Sequence, residues 1–215
     1  MKLIHSANLD TMRNSFFFTI VLLLICCYIG HSTKNIQLPP PAKSYAKNHQ
    51  EARAYCEMNG YATDFYYLID LSIHPGRFRF FIYDFKKKLI THKNIVTHGS
   101  CDVLESNPDQ WEKAKFDTRK DSHCSMKGKF KIGKRDYSSW GINVKYWLHG
   151  LEVQNQSAED RVVVLHSWSA VSNHEIYPRV SPLSWGCPAV SDNFMRFLDQ
   201  QLKSTNKPVL LWIID

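Results

Sequence analysis

The chain of 215 residues has no apolar run long enough to cross a bilayer as a helix. The stretch Phe16 to Ile29 has 14 residues, short of the roughly 20 that span a membrane. It also has no basic block interleaved with a nucleic-acid motif. The formal charge of +7 suits an anionic surface or substrate, Lys86-Lys87-Lys88 reads as a solvated turn, and no nucleic-acid partner is expected. There is no internal repeat, which argues against stacked-repeat architectures. Standard zinc spacings are absent as well: His98, Cys101, His123 and Cys124 form two pairs that fit no such pattern, so no metal or other cofactor is expected. The length suits one domain with a sizeable core and is too short for two ordinary ones.

Aromatic residues, by contrast, are plentiful at 13%, and many fall in short alternating runs that favour a β-rich core. Lys2 and Arg13 precede the Phe16 to Ile29 run, and Gly30 and Ser32 follow it, the pattern of an export signal cut after Ser32, or else of an N-terminal anchor. Residues 1–32 are therefore read as that signal. Bulky neighbours before Cys26 and Cys27 argue against lipidation. Either way the rest of the chain lies outside the cytoplasm, in the periplasm or cell envelope, with no stable membrane span once processed. Residues 33–43, with Pro39-Pro40-Pro41, form an extended tether, and residues 44–215 the folded domain. The mature chain keeps Cys56, Cys101, Cys124 and Cys187; if Cys187 stays reduced, at most one disulfide joins two of the other three.

Along that domain Tyr45 to Asn59 reads as a helix closed by Gly60. Strands are expected at Tyr66 to Ile69, Phe78 to Phe85, Leu89 to Thr97, Met126 to Ile132 and Tyr146 to Val153, with a buried central strand at Val162 to Leu165 and a last one at Val209 to Ile214. Ser106 to Ser122 and Gly133 to Gly141 read as loops. Ser191 is the expected N-cap of a helix with Phe194, Phe197, Leu198 and Leu202 on one face. The fold class is thus a β-rich α+β domain with a few peripheral helices.

The chemistry gathers at Ser184-Trp185-Gly186-Cys187-Pro188. Gly186 permits close backbone approach, and Pro188 keeps Cys187 out of helical geometry, so the thiol is held on an extended turn. A free cysteine is often only a small buried hydrophobe, and a thiol with an ordinary pKa is a poor nucleophile unless something stabilises its thiolate. His166, 21 residues upstream at the end of the apolar run, is the candidate partner. The Cys187 N–H, with that of Gly186 or Trp185, can supply an oxyanion hole. Ser167 and Trp168 can orient the imidazole or wall a pocket, and His98 is placed on the cleft.

These motifs carry a resemblance. The segment VVVLHSWSAVSNHEIYPRVSPLSWGCPAVS, from Val162 to Ser191, is similar to the active-site region of the L,D-transpeptidase (YkuD-like) catalytic-domain family, in its S-x-G-C-P branch. Ser125 to Gly133, Leu148 to Glu152 and Val96 to Gly99 resemble further elements of that branch. The resemblance implies a single L,D-transpeptidase-like domain with mixed β-sheets and transfer of peptidoglycan stem peptides, with Cys187 forming a thioester, His166 moving the proton, Gly186 and Cys187 binding the oxyanion, and Ser184 and Trp185 shaping the cleft. An amine acceptor would give 3–3 cross-links or exchange of the terminal D-amino acid, and water would give L,D-carboxypeptidase activity. A wall-binding module that kept the fold without catalysis is the reading from another class. Two places depart from the wider family: Ser167 follows His166, where much of the family has glycine, and Trp185 and Ala189 stand where a histidine and an arginine are usual. The sequence leaves the oligomeric state open.

Overall fold

The computed structural model describes residues 43–103 and 106–215; the expected export signal and nearly all of the expected tether lie outside them. The first described element is helix α1 (Ala46–Asn59), ended as expected by Gly60 in the left-handed region at φ 73°, where the Tyr61 N–H donates to Cys56 O at 3.0 Å. The strands that follow are β1 (Phe65–Asp70), β2 (Phe80–Asp84), β3 (Leu89–Asn94), β4 (Gly128–Tyr137), β5 (Val144–Gly150), β6 (Val164–Ser167) and β7 (Ala189–Val190). Helix α2 (Asp192–Lys203) and strand β8 (Val209–Ile214) complete the chain, and a 3-10 turn over Val153–Ala158 links β5 to β6.

The strands join in one mixed sheet, in the order β3-β2-β1-β8-β4-β5-β6-β7. Only β1 with β8 and β6 with β7 run parallel. A single antiparallel bridge between Val96, just beyond β3, and Val190 in β7 brings the two ends of that order together, so the sheet curls nearly into a barrel. Two hydrophobic clusters occupy its two faces. Alternate residues of β1 divide between them: Tyr67 and Ile69 pack with Phe80, Phe130, Leu165 and Leu198 of α2, while Tyr66 and Leu68 pack with Ala52 and Cys56 of α1. Strand β1 is buried along its whole length for this reason.

Helix α2 starts where the sequence places it. The Ser191 side chain accepts from the Phe194 N–H, Asp192 sits in the first turn and Lys203 in the last, both favourable to the helix dipole. Phe194 and Leu198 are buried and Phe197 and Leu202 partly so.

Two expectations need correction. Gly133 to Tyr137 is strand and not loop: β4 carries an irregularity between Ile132 and Arg135, then resumes pairing with β5 as Arg135↔Tyr146, Asp136↔Lys145 and Tyr137↔Val144. Its side chains are too polar to show an apolar alternation. The apolar run at Val162 also starts its strand late. Val162 has φ 56° and is half-exposed, so β6 begins at Val164 and lies next to the last strand of the sheet, while β8 takes the central place. A β-branched residue at positive φ is strained, and the turn it makes points its carbonyl at Cys187.

Asp199 of α2 binds the helix to that polar half of the sheet. It accepts from Arg135 Nε at 2.7 Å and Tyr146 Oη at 2.8 Å, and pairs with Lys203 Nζ at 3.1 Å. Burial acts to raise its pKa, but these donors outweigh it and hold the carboxyl down at about 2, against 3.8 ordinarily. A depressed carboxylate stabilises the fold fully above its unfolded pKa and loses that contribution as pH falls through its folded one. Asp199→Asn is therefore expected to cost about 2 kcal/mol at pH 7, with most of the difference gone near pH 2, as read from urea unfolding of both proteins at several pH values.

Candidate active site

Strand β6 delivers His166, and the loop before β7 delivers Cys187. The parallel register sets His166 opposite Ala189, two residues beyond the cysteine, so both side chains come to one opening. Cys187 is partly buried and its Sγ–H points at Val162 O, 3.6 Å away. The His166 Nδ1 lies 3.0 Å from Ser167 O. A carbonyl only accepts, so Nδ1 carries the hydrogen and Nε2 is the basic nitrogen.

The loop's shape is fixed from two sides. Gly186 has φ 102°, and a Cβ there would fall 2.5 Å from Cys124 O, so no other residue fits without a backbone shift. Opposite, residues 97–100 pair with the loop through Ser184 N–H to His98 O, Ser100 N–H to Ser184 O and Thr97 N–H to Ala189 O, each at 2.9 Å. The Thr97 hydroxyl donates to Cys187 O at 3.1 Å and accepts from the Ala189 N–H at 2.9 Å. The Gly186 N–H donates to Ser184 Oγ at 3.2 Å. That occupies one of the amides expected in an oxyanion hole, and among the described residues the Cys187 and Trp185 amides are left without an acceptor.

Two depressions meet at the thiol. One, of about 360 Å³, is lined by Trp140, Trp168, Leu183, Ser184, Trp185 and Ala189 together with His166 and Cys187. The other, of about 460 Å³, shares His166, Cys187, Trp140 and Trp185 and adds Ser138, Lys145, Arg161 and Val162 among others. Trp185 is three-quarters exposed, with its ring stacked on His123 at 4.6 Å between centroids. Cys187, His166, Ser184, Trp185 and Trp168 thus come together as the sequence suggests.

Two other expected residues do not reach the cleft. Ser167 is fully buried, and its Oγ accepts from the Ile142 N–H at 3.0 Å, so it secures the Trp140 loop from behind. His98 is also buried. Its Nδ1 accepts from Arg79 Nη2 at 2.9 Å and its Nε2 donates to Gln110 O at 2.7 Å, while its own carbonyl holds Ser184. Burial first, and then the Arg79 charge, push its pKa down to about 4, so the ring is neutral and able to accept from the guanidinium. In the rival His98/Cys101/His123/Cys124 set, Cys101 and Cys124 form a disulfide, and among the described residues no group of His, Cys, Asp or Glu is arranged to hold a metal. Among the described residues the other free thiol is Cys56, on the buried side of α1, and its pKa is raised by burial.

Arg161, Lys145, Trp140 and Thr97 are site residues that the sequence reading did not single out. Lys145 stands opposite His166 in the β5–β6 register, and Arg161 directly precedes the Val162 turn. Periodicity carries no signal for either, because both depend on which strands lie side by side.

Burial acts on the pair in one direction, towards neutrality. It raises the Cys187 thiol above its ordinary 9.0 and lowers His166 below 6.5; a backbone N–H at Val164 and the Arg161 charge oppose the first shift without cancelling it. At pH 7 the resting pair is then thiol and free imidazole, with no ion pair. Alkylation of Cys187 by neutral iodoacetamide should rise about tenfold per pH unit from pH 6 to 8, with its midpoint above 9 and no shoulder below pH 7. A shoulder there would mean a thiolate–imidazolium pair instead. Thr97→Val keeps the side-chain shape but leaves the buried Ala189 N–H without its acceptor; the expected loss is about 1–3 kcal/mol of stability in a denaturant titration.

Comparison of the sequence with protein families matches the L,D-transpeptidase catalytic domain over residues 41–211, a span that includes His166 and Cys187. No curated protein gives a match. Among solved structures, the chain is similar to an L,D-transpeptidase from Xylanimonas cellulosilytica, with 13% identity, 74% of this chain and 68% of that one covered, and a TM-score of 0.38. It is also similar to the helical cell shape determining protein Pgp2 from Campylobacter jejuni, with 13% identity, 69% of this chain and 49% of that one covered, and a TM-score of 0.35. The family match covers most of the chain and runs through the whole cleft, and the protein belongs to the L,D-transpeptidase catalytic domain family.

Proposed function

We propose that this is an exported cysteine L,D-transpeptidase that acts on peptidoglycan stem peptides through a Cys187 thioester. The observation that carries the reading is the convergence of a neutral thiol, a histidine whose basic Nε2 is set by its Nδ1 bond to Ser167 O, and an uncommitted Cys187 N–H on one open cleft. Nε2 takes the thiol proton as Sγ attacks the carbonyl of the third stem residue. The charge that develops on the carbonyl oxygen meets the Cys187 N–H, with the Trp185 N–H as second donor. Collapse of the intermediate breaks the bond to the terminal D-alanine, whose amine leaves with the proton from Nε2. An incoming amine gives up a proton to the same nitrogen, attacks the thioester and restores the thiol.

The acceptor decides the product. An amine from a second stem peptide gives a 3–3 cross-link, a free D-amino acid gives exchange, and water gives a tripeptide. The apolar depression walled by Trp140, Trp168 and Trp185 favours an organic acceptor over water, because it offers apolar surface to a bound chain and few polar groups to hold a solvent molecule. Location in the cell envelope follows from that substrate. The Cys101–Cys124 disulfide supports it independently, since such bonds persist in oxidising compartments.

The test is mass spectrometry of disaccharide-tetrapeptide muropeptides incubated with the protein and with Cys187→Ala. Loss of terminal D-alanine that needs Cys187, with a cross-linked dimer as main product, is expected. A free tripeptide would make the enzyme an L,D-carboxypeptidase, while unchanged muropeptides with a demonstrably alkylatable thiol would move the reading to a non-catalytic wall-binding module.

A further inference from the structure

Arg161 and Lys145 take no part in the acyl transfer described above, yet both border the polar depression that reaches Cys187 and His166. Arg161 Nη1 donates to Asp117 O at 2.7 Å and Nη2 to Cys124 O at 2.8 Å. Two neutral carbonyls fix the guanidinium in place without neutralising it, and the Asp117 carboxylate is taken by Arg119. Nη2 lies only 3.3 Å from where a Cβ on Gly186 would stand, so the charge is set against the backbone that carries the nucleophile. Lys145 projects from β5 opposite His166, with its Nζ 4.9 Å from the Trp147 ring centroid. Asp136, its cross-strand neighbour, has Oδ2 bonded to Trp147 Nε1 at 3.1 Å. Among the described residues neither cation forms an ion pair within 4.0 Å, and no acidic side chain lines the depression.

A half-buried guanidinium with no ion-pair partner is costly unless an anion joins it: burial lowers the Arg161 pKa, and the nearby charges of Asp117 and Asp121 oppose that shift without cancelling it. Its planar fork has donors left over after the two carbonyl bonds, and that geometry fits a carboxylate. Lys145 adds a second point charge on the histidine side of the thiol.

We propose that Arg161 and Lys145 form a subsite for a substrate carboxylate lying within one residue of the scissile carbonyl. The identity of the peptide rests on the function proposed above; the anion site does not. A stem tetrapeptide offers two such groups, the terminal carboxylate of the leaving D-alanine and, where the third residue is a diamino diacid, the carboxylate on its side chain. The subsite makes the enzyme selective for peptides that present that charge next to the bond to be broken.

The first arm of the test needs no peptide. Rates of Cys187 alkylation by anionic iodoacetate and neutral iodoacetamide are compared for the native protein, Arg161→Gln, Lys145→Gln and the double variant. Glutamine at 161 removes the charge while its amide can still donate to Cys124 O, and Arg161→Lys serves as the charge-keeping control. The iodoacetate-to-iodoacetamide ratio is expected to fall about tenfold in the double variant and to be largely kept in Arg161→Lys. An unchanged ratio overturns the proposal. The second arm measures kcat/KM for a tetrapeptide, its terminal carboxamide, and a tetrapeptide with lysine as third residue. The neutralised group whose loss lowers the native rate, and ceases to matter in the double variant, is the one bound. Equal rates for all three in the native enzyme overturn the proposal. A protein that turns over none of them but shows the alkylation effect refutes the stem-peptide reading and leaves the anion subsite standing.

Discussion

The site depends on one break in a hydrogen-bond ladder. Pro188 has no N–H to give, so the chain from Ser184 to Val190 cannot pair as an uninterrupted strand. The Thr97 hydroxyl closes the gap by linking Cys187 O to the Ala189 N–H. Backbone bonds from residues 97–100 hold the loop on either side of that point. Segment 96–100 is in turn anchored by Arg79, which is fully buried and donates to Val96 O from Nε at 2.8 Å and Nη2 at 2.7 Å. Desolvation lowers the Arg79 pKa to about 9, opposed by Asp70, so it stays charged at neutral pH, and its donors are consumed by carbonyls and by the neutral His98. A buried cation satisfied in this way is a rigid post, and removing one of its partners would leave a buried donor of a charged group unsatisfied. His98 therefore matters to Cys187 without touching the cleft.

The same dryness that fixes the loop sets the electrostatics of the reacting pair. Burial disfavours both charged forms, so thiol and imidazole rest neutral, and in the mechanism proposed above charge appears only as the thiol gives up its proton. The backbone N–H at Val164 that opposes this at Cys187 is already oriented before any charge forms. Fixed dipoles and charges of this kind cost no reorganisation during the reaction, and they are worth more where water is excluded. A ground-state ion pair would spend that stabilisation early.

Much of this was legible in the sequence, and the boundary between what was and was not has a physical cause. Local signals marked one end of each helix, through Gly60 and Ser191, and the apolar strands at Tyr66 to Ile69 and Val209 to Ile214. The cysteine motif itself stood out because glycine and proline flank it. What local pattern cannot give is adjacency across a sheet. The second half of β4 is polar and is held by Tyr146 and Asp199, residues distant along the chain. Lys145 and Arg161 reach the thiol only because β5 lies beside β6 and because Val162 turns the chain. Ser167, read as orienting the imidazole or walling the pocket, holds the ring through its carbonyl while its side chain lies behind the wall, since alternation along β6 places neighbours of His166 on the opposite face. The choice of Cys101 with Cys124, left open by an odd count of thiols, goes with two bonds between their segments, Gly99 N–H to Ser125 Oγ and Cys101 N–H to His123 O.

Strained backbone clusters around that disulfide. Cys101, His123, Val162 and Gly186 all have positive φ, and they surround the nucleophile loop through Cys124 O, the His123–Trp185 stack and the Val162 carbonyl. Each non-glycine residue in that region costs on the order of 1 kcal/mol or more, and such costs persist only where the surroundings over-determine the conformation. The disulfide supplies part of that constraint. By closing the segment between residues 101 and 124 it removes about 3 kcal/mol of chain entropy from the unfolded state, a sum comparable to the strain it holds. Among the described residues no long hydrophobic segment lies between the two cysteines that could do the same by burial; Ser106 to Ser122 is a polar loop with Trp111 exposed. A covalent link is thus the means available to keep Cys124 O in place beneath Gly186.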